Sequence, residues 1–232
     1  MGNSPKQAGV HFTLRPPVGA LNMGMTQDFG KRIELLSMDP HCRDITIALY
    51  RQDLQGRPQY RVHTYSRLEG APERIQALGQ TMTILGQLEQ AGELLCFPCG
   101  AAHQMAVRRT FLEAAKLSPT AIAAAKPLTI ADKKSGRTIT AISLGNGRYQ
   151  ITADGPEDGK APRIDSVMAG LVKLAEVGRV EGNPGQVAFP CGQSHDALVG
   201  LLLPRALNVR AILREEEEAG SRGLLVAPSQ QK

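Results

Sequence analysis

The sequence has no tryptophan, few other aromatic residues and no long apolar run. Phenylalanine and tyrosine together make up 4% of the 232 residues, which gives little material for stacking the bases of a single-stranded nucleic acid. The apolar run ALVGLLL at 197–203 is much shorter than the roughly 18 to 20 residues that cross a bilayer. We therefore expect no membrane span.

Cysteine is also scarce, which indicates whether the protein works in an oxidising or a reducing compartment. The chain has four cysteines, at positions 42, 96, 99 and 191. Four are too few for a small scaffold stapled by disulfides, and a chain of this length can bury a hydrophobic core without them. A reducing compartment, the cytoplasm, is the expected location.

The charge balance is basic but evenly spread. The 27 Lys and Arg residues exceed the 22 Asp and Glu residues, which gives a formal net charge of +5. No dense run of Lys or Arg marks a nucleic-acid interface. A protein partner or self-association is therefore the preferred interpretation, and nucleic-acid binding is kept as a further alternative.

One string of residues occurs twice. LLCFPCGAAHQ at 94–104 and VAFPCGQSHDA at 187–197 both contain FPCG followed by a histidine. Upstream, the segments 71–89 and 161–177 also match, with Tyr60 falling on Tyr149 at the same offset. Such spacing predicts a tandem duplication. We expect an arm at 1–24, which is flexible or draped over the surface, followed by modules at 25–135 and 136–232.

Each predicted module has the same order of elements. Two β-rich segments form a hairpin, an amphipathic helix follows, and a short apolar strand leads into the FPCG string and a second helix. With PLTIA near residue 130 as a closing strand, the unit is ββαβαβ. Because strands joined by a helix usually run parallel, the expected α/β fold has mixed sheets with three parallel strands and one antiparallel strand.

The repeated string supplies the candidate site residues. Cys99 with His103, and Cys191 with His195, are expected one turn apart on a helix that begins at the string. A thiol at a helix N-terminus can be an activated nucleophile, so these four are candidate catalytic residues. The structural alternative is that each histidine lies on the apolar stripe of its helix and contacts the sheet.

Two further interpretations concern the cysteines. Cys96-Phe97-Pro98-Cys99 resembles the redox motif of thioredoxin-like oxidoreductases, which implies a dithiol role, although the second string has Ala188 at the first cysteine's position. Two Cys and two His also suit zinc. If PLTIA pairs with the next hairpin in one continuous sheet, however, the two strings lie four strands, or roughly 19 Å, apart. No metal or other cofactor is then expected unless the sheet closes on itself or the modules face each other.

The functional expectation rests on the catalytic and binding motifs that the sequence lacks. No other acid/base pair, phosphate loop or metal motif accompanies the repeated string. We expect a non-catalytic binding or assembly protein built from a duplicated α/β module, with a thiol-dependent enzyme as the alternative, so that whether the chain is an enzyme stays open. The acidic run at 215–218 is expected to be a solvated, mobile insertion.

Overall fold

The part of the chain that the structure describes forms an α/β fold with two five-stranded sheets and five helices. The computed structural model describes residues 29–117, 127–156 and 163–224. The arm predicted at 1–24 lies outside the described residues.

The first sheet has the strand order β1-β2-β3-β5-β4. In β3, Pro58, Tyr60 and Val62 are buried in alternation with less buried residues, the period of two expected for a strand with one core face. The elements of this half are β1 (Lys31–Leu36), β2 (Ile47–Leu54), β3 (Arg57–Thr64), α1 (Ala71–Gly86), β4 (Glu89–Ala91), β5 (Leu94–Cys96) and α2 (Gln104–Lys116).

The second sheet repeats this order as β6-β7-β8-β10-β9. Tyr60 in β3 lies opposite Leu95, and Tyr149 in β8 lies opposite Val187, so the repeated sequences occupy equivalent positions. The predicted similarity of the two halves is confirmed. The elements are β6 (Thr129–Asp132), β7 (Arg137–Gly145), β8 (Arg148–Asp154), α3 (Ile164–Ala175), β9 (Gly178–Arg179), β10 (Gln186–Ala188), α4 (Asp196–Ala206) and α5 (Val209–Leu224).

The predicted mixed sheets are wrong, because every described strand pair is antiparallel. The prediction treated α1 as a direct crossover between two strands of the sheet. The structure has a further short strand, β4, between α1 and β5. Because β4 and β5 form a hairpin, β5 enters the sheet in the direction opposite to β3, and β9 has the same effect on β10 in the second half.

The PLTIA strand, predicted to close the first module, belongs to the second sheet instead. β6 pairs with β7 and is the first strand of the second sheet. A tight turn joins the two strands, in which the Gly136 amide donates a hydrogen bond to the Asp132 carbonyl at 2.8 Å. β6 therefore corresponds to β1 of the first half.

The helices of the two halves pack against each other and share one hydrophobic core. α1 contacts α4, and α2 contacts α3 and α4. The core contains buried residues from both halves, including Phe97 and Phe189. At one crossing α3 approaches α4 so closely that a Cβ added to Gly170 would lie 2.3 Å from the Ala206 carbonyl oxygen. The two sheets are thus separate, and helix packing brings the halves face to face.

The acidic run, expected to be a solvated, mobile insertion, lies inside a helix, and its first residue makes ion pairs. Residues 215–218 belong to α5, and the Glu215 carboxylate pairs with the Arg109 and Arg205 guanidinium groups of α2 and α4. Glu215 therefore helps to hold α5 against the shared core. Within the described residues, no helix is both long enough and apolar enough to cross a membrane.

Candidate metal centre

The structure brings together all four candidate residues from the repeated string. One ligand atom from each of Cys99, His103, Cys191 and His195 lies within 4.8 Å of the other three. The Sγ–Nε2 distance is 3.5 Å between Cys99 and His103 and 3.3 Å between Cys191 and His195. Each half contributes one thiol and one imidazole. The predicted separation of roughly 19 Å was wrong because it assumed one continuous sheet.

The FPCG string folds into a tight turn that presents the cysteine. The Gly100 amide donates to the Phe97 carbonyl at 2.9 Å, and the Gly192 amide donates to the Phe189 carbonyl at 3.0 Å. Proline suits the second position of such a turn, since its ring fixes φ near −65°. Both glycines have positive φ, 74° and 71°, and a Cβ on either would meet nothing within 4 Å. The backbone conformation therefore explains the glycine of each string.

Each histidine immediately precedes a helix instead of lying within it. α2 begins after His103 and α4 begins after His195, so the expected placement of Cys and His on one helix face is wrong. His103 has the left-handed conformation, with φ 37°, which few residues other than glycine adopt. The loop before each helix therefore turns the imidazole toward the other half.

Phenylalanines from both halves hold the imidazole rings. The His103 ring centroid lies 4.9 Å from that of Phe97 and 5.3 Å from that of Phe189. The His195 centroid lies 4.6 Å from Phe189 and 5.6 Å from Phe97. The two imidazole centroids are 4.9 Å apart. Since each histidine contacts the phenylalanine of both halves, the cluster exists only where the halves meet.

Burial favours the neutral form of both histidines. Desolvation, with a smaller effect from the nearby His195, lowers the pKa of His103 to about 4. Desolvation also lowers the pKa of His195, against an opposing effect from Asp196. A neutral imidazole has a free nitrogen lone pair, which is the form that binds a metal ion.

The thiol of Cys99 is less acidic than usual. Burial raises its pKa, the neighbouring Cys191 raises it further, and the hydrogen bond that the Ala101 amide donates to Sγ at 3.4 Å acts in the opposite direction. A raised pKa lowers the thiolate fraction at neutral pH, the reverse of what an activated nucleophile needs. A cation placed between the thiols would reverse this effect.

Two buried tyrosines support the loops that carry the histidines. The Tyr60 hydroxyl donates to the Ala102 carbonyl. The Tyr149 hydroxyl donates to the Asp196 carboxylate at 2.6 Å and accepts from the His195 amide at 2.8 Å. The sequence comparison matched the two tyrosines but gave them no role. The signal that could have indicated it was their recurrence 89 residues apart, the same offset as the matching segments 71–89 and 161–177.

Cys96 lies outside the cluster. It is buried at the end of β5, with Sγ 4.0 Å from the Glu89 carboxylate. All four cysteines are free. Cys99 is grouped with Cys191 of the other half, and Cys96, the first cysteine of the C-x-x-C string, is not part of this cluster.

Comparison with known proteins adds no relative. No protein-family model matches the chain, and neither the curated proteins nor the solved structures contain a match. Any function assigned to the cluster therefore rests on the chemistry of its own residues.

Proposed function

We propose that this chain is a non-catalytic binding or assembly protein in which one structural Zn²⁺ joins two copies of a duplicated α/β module. The ligands are Cys99, His103, Cys191 and His195. The observation that carries the proposal is the convergence of these four ligand atoms within 4.8 Å, two from each half.

The donor set and its spacing suit zinc. Two sulfur and two nitrogen ligands in a tetrahedron are typical of structural zinc sites. With zinc–sulfur distances near 2.3 Å and zinc–nitrogen distances near 2.0–2.1 Å, sulfur and nitrogen ligands lie about 3.6 Å apart. The Sγ–Nε2 distances of 3.5 Å and 3.3 Å are close to this value. Two thiolates would also neutralise the charge of the ion in a partly buried site, at the expense of two released protons.

A structural role follows from the number of ligands. Four protein ligands complete a tetrahedron and leave no position for a reactive water, whereas catalytic zinc sites usually have three protein ligands. The rings of Phe97 and Phe189 also border the imidazoles. The ion would therefore link the two halves without activating a substrate.

A second pair of equivalent contacts supports the duplication. Arg74 contacts Asp39 at 3.0 Å in the first half, and Arg163 contacts Asp132 at 3.0 Å in the second. In both halves the aspartate follows or ends the first strand, and the arginine is at the start of the helix after the hairpin. The pairing of β6 with β7 favours a module boundary between α2 and β6, earlier than residue 135.

The alternative, a thiol-dependent enzyme, has one observation in its favour. The Cys191 thiol lies within hydrogen-bond reach of an imidazole, at 3.3 Å, as a nucleophile and its base do. The raised pKa of Cys99 and the lowered pKa of His103 favour a neutral pair instead. Slow labelling of the metal-free thiols by iodoacetamide at neutral pH, compared with a model thiol, would support the structural role.

Cobalt substitution tests the ligand set directly. Co²⁺ in a tetrahedral site absorbs visible light far more strongly than octahedral Co²⁺, and bound thiolates add a charge-transfer band in the near ultraviolet. We expect both signals in the full-length protein and in Cys96→Ala, and neither in Cys191→Ala, because the ion needs a thiolate from each half. A weak octahedral spectrum of the full-length protein, or a thiolate band that persists in Cys191→Ala, would contradict the proposal.

A further inference from the structure

The sulfur side of the cluster is more exposed than its imidazole side. Cys99 and Cys191 are both partly exposed, whereas His103 and His195 have exposed fractions of only 5% and 3%. Access of this kind is one of the conditions for cysteine chemistry. A small reagent can therefore reach the two thiols without opening the core.

The two thiols also lie close to each other. Their Sγ atoms are within 4.8 Å, and a disulfide bond requires about 2.05 Å. A change between staggered rotamers moves a cysteine sulfur by about 3 Å. The distance that separates the two sulfurs from a bond is therefore no larger than one side-chain rotation can cover.

The loops that carry the cysteines have free space beside them. Each cysteine lies in a four-residue turn, 97–100 in the first half and 189–192 in the second, closed by the hydrogen bond from its glycine. A Cβ added to Gly100 or Gly192, directly after the cysteine, would meet nothing within 4 Å. A small adjustment of either turn therefore causes no clash at these positions.

Cys96 is the competitor for a bond to Cys99. It lies three residues earlier in the chain, but it is buried, and its Sγ contacts the Glu89 carboxylate at 4.0 Å. Cys191, although 92 residues later in the chain, shares a cluster with Cys99. The fold therefore favours Cys191 as the partner of Cys99.

We propose that Cys99 and Cys191 are a modification site, at which a small disulfide such as oxidised glutathione oxidises the two thiols to a disulfide that joins the halves. One cysteine thiolate attacks the oxidant and releases one glutathione thiolate. The other cysteine thiolate attacks the protein sulfur of the mixed disulfide and releases the second glutathione. Two electrons pass from the protein to the oxidant, and the two protons of the cysteines end on the two glutathione thiols.

The bridge and the ion exclude each other, and in this respect the inference rests on the proposed zinc site. An ion bound by both thiolates keeps them from the oxidant, whereas a disulfide leaves only the two imidazoles as ligands, half of a structural zinc site. Oxidation would therefore release the ion and replace it with a covalent link. The halves would stay joined in both states.

A glutathione redox buffer tests the bridge in the metal-free, full-length protein. The equilibrium is measured instead of the rate, because burial raises the pKa of Cys99 and slows the exchange. Trypsin cuts after Lys and Arg, which places Cys99 in the fragment 75–108 and Cys191 in the fragment 180–205. Mass spectrometry then detects the bridge as these two fragments joined. Cys96→Ala is compared with the original chain, since it removes the competitor.

The expected constant for bridge formation is at least about thirtyfold larger in folded Cys96→Ala than in the same protein unfolded in urea, equivalent to about 2 kcal/mol. The original chain should give the same joined fragments. Absence of joined fragments, equal constants in the two conditions, or a bond between Cys96 and Cys99 inside the fragment 75–108 of the original chain would overturn the inference.

A zinc titration separates this inference from the zinc proposal. Free zinc at a hundredfold above its Kd should lower the constant for bridge formation about a hundredfold, because the ion binds only the reduced protein. If the fragments join but zinc leaves the constant unchanged, the bridge is supported and the zinc ligand set is contradicted. If zinc binds but no fragments join in the metal-free protein, the zinc proposal stands and the bridge is refuted.

Discussion

The carboxylate of Glu176, in the second half, accepts a hydrogen bond from the backbone amide of Met105, in the first half, at 3.1 Å. The equivalent contact runs in the opposite direction, from the Ala197 amide to the Gln87 side chain at 3.1 Å. Each acceptor ends a helix and each donor lies in the first turn of a helix of the other half. The two halves therefore cap each other's helices.

These contacts between the halves explain why a histidine, whose side chain does not cap the helix, can occupy the position before each helix. His103 and His195 make no side-chain hydrogen bond to the helices that they precede, because their rings face the cluster. The other half supplies the acceptor instead. The metal-binding loops and the contact between the halves are thus parts of one arrangement.

The first prediction concerns this cap. Glu176→Ala should lower the free energy of unfolding by about 1 kcal/mol, the usual effect of losing an N-cap acceptor, whereas Glu176→Gln should keep most of it. Urea unfolding of the zinc-loaded protein measures the difference. Glu181→Ala, at an exposed loop position, is the control and should not differ from the original chain. A Glu176→Ala protein of unchanged stability would show that the cap contributes nothing.

The second prediction concerns the metal and stability. Removing zinc with a chelator should lower the unfolding free energy, because the ion binds only where the halves are folded together. At free zinc a thousandfold above Kd the difference is about 4 kcal/mol. Thermal unfolding before removal, after removal and after zinc is restored measures it. Cys96→Ala should respond as the original chain does. Identical melting temperatures in all three states would contradict a stabilising zinc ion.

The third prediction concerns acid stability. Burial alone would raise the pKa of Asp132, but the Ser135 hydroxyl, the Lys134 amide and Arg163 together hold it below its ordinary value. The unfolded carboxyl titrates near pH 3.9. The stabilisation from this group is therefore present above that pH and is lost as pH falls through the lower, folded pKa.

Asp132→Asn tests this directly. At pH 7 the substitution should cost about 1–3 kcal/mol, since a charged hydrogen-bond acceptor is lost. The difference from the original chain should shrink below about pH 4 as the native carboxyl is protonated. Only the difference in unfolding free energy between Asp132→Asn and the original chain is interpreted, because zinc release in acid affects both proteins. Asp154→Asn, at an exposed strand end, is the control, and a difference that stays constant down to pH 2 would refute the assignment.

The fourth prediction concerns the acidic run in α5. Glu215→Gln should lower the unfolding free energy by about 1 kcal/mol, because the buried guanidinium of Arg109 loses its charged partner. Urea unfolding measures this, with Glu181→Gln as the control. If Glu215→Gln is as stable as Glu181→Gln, the run is the solvated insertion expected from the sequence. The ion pair with Arg109 would then contribute nothing to stability.

The repeat made the local structure predictable. Tyr60 and Tyr149, matched by spacing alone, are both buried at equivalent strand positions. The FPCG strings likewise predicted two equivalent strand-to-helix turns. These features depend on neighbouring residues, so turn chemistry and alternation of apolar residues were sufficient to identify them.

The topology and the site depended on contacts that local patterns do not encode. β4 and β9 have only three and two residues, EQA and GR, without the β-branched or aromatic residues that predict a strand. Because β4 and β9 were not predicted, the predicted directions of β5 and β10 were opposite to those in the structure. The packing of α1 on α4 brings the cysteines together, and this depends on the apolar faces of whole helices rather than on any motif.

The most direct test of the central claim is the number of zinc ions bound per full-length chain, measured by native mass spectrometry after dialysis against zinc-free buffer. The account predicts one zinc per chain, with two protons displaced, in the original protein and in Cys96→Ala. It predicts no retained zinc in either Cys99→Ala or Cys191→Ala, because the ion needs a thiolate from each half. A protein that binds no zinc, or that keeps its zinc when one of these two cysteines is removed, would contradict it.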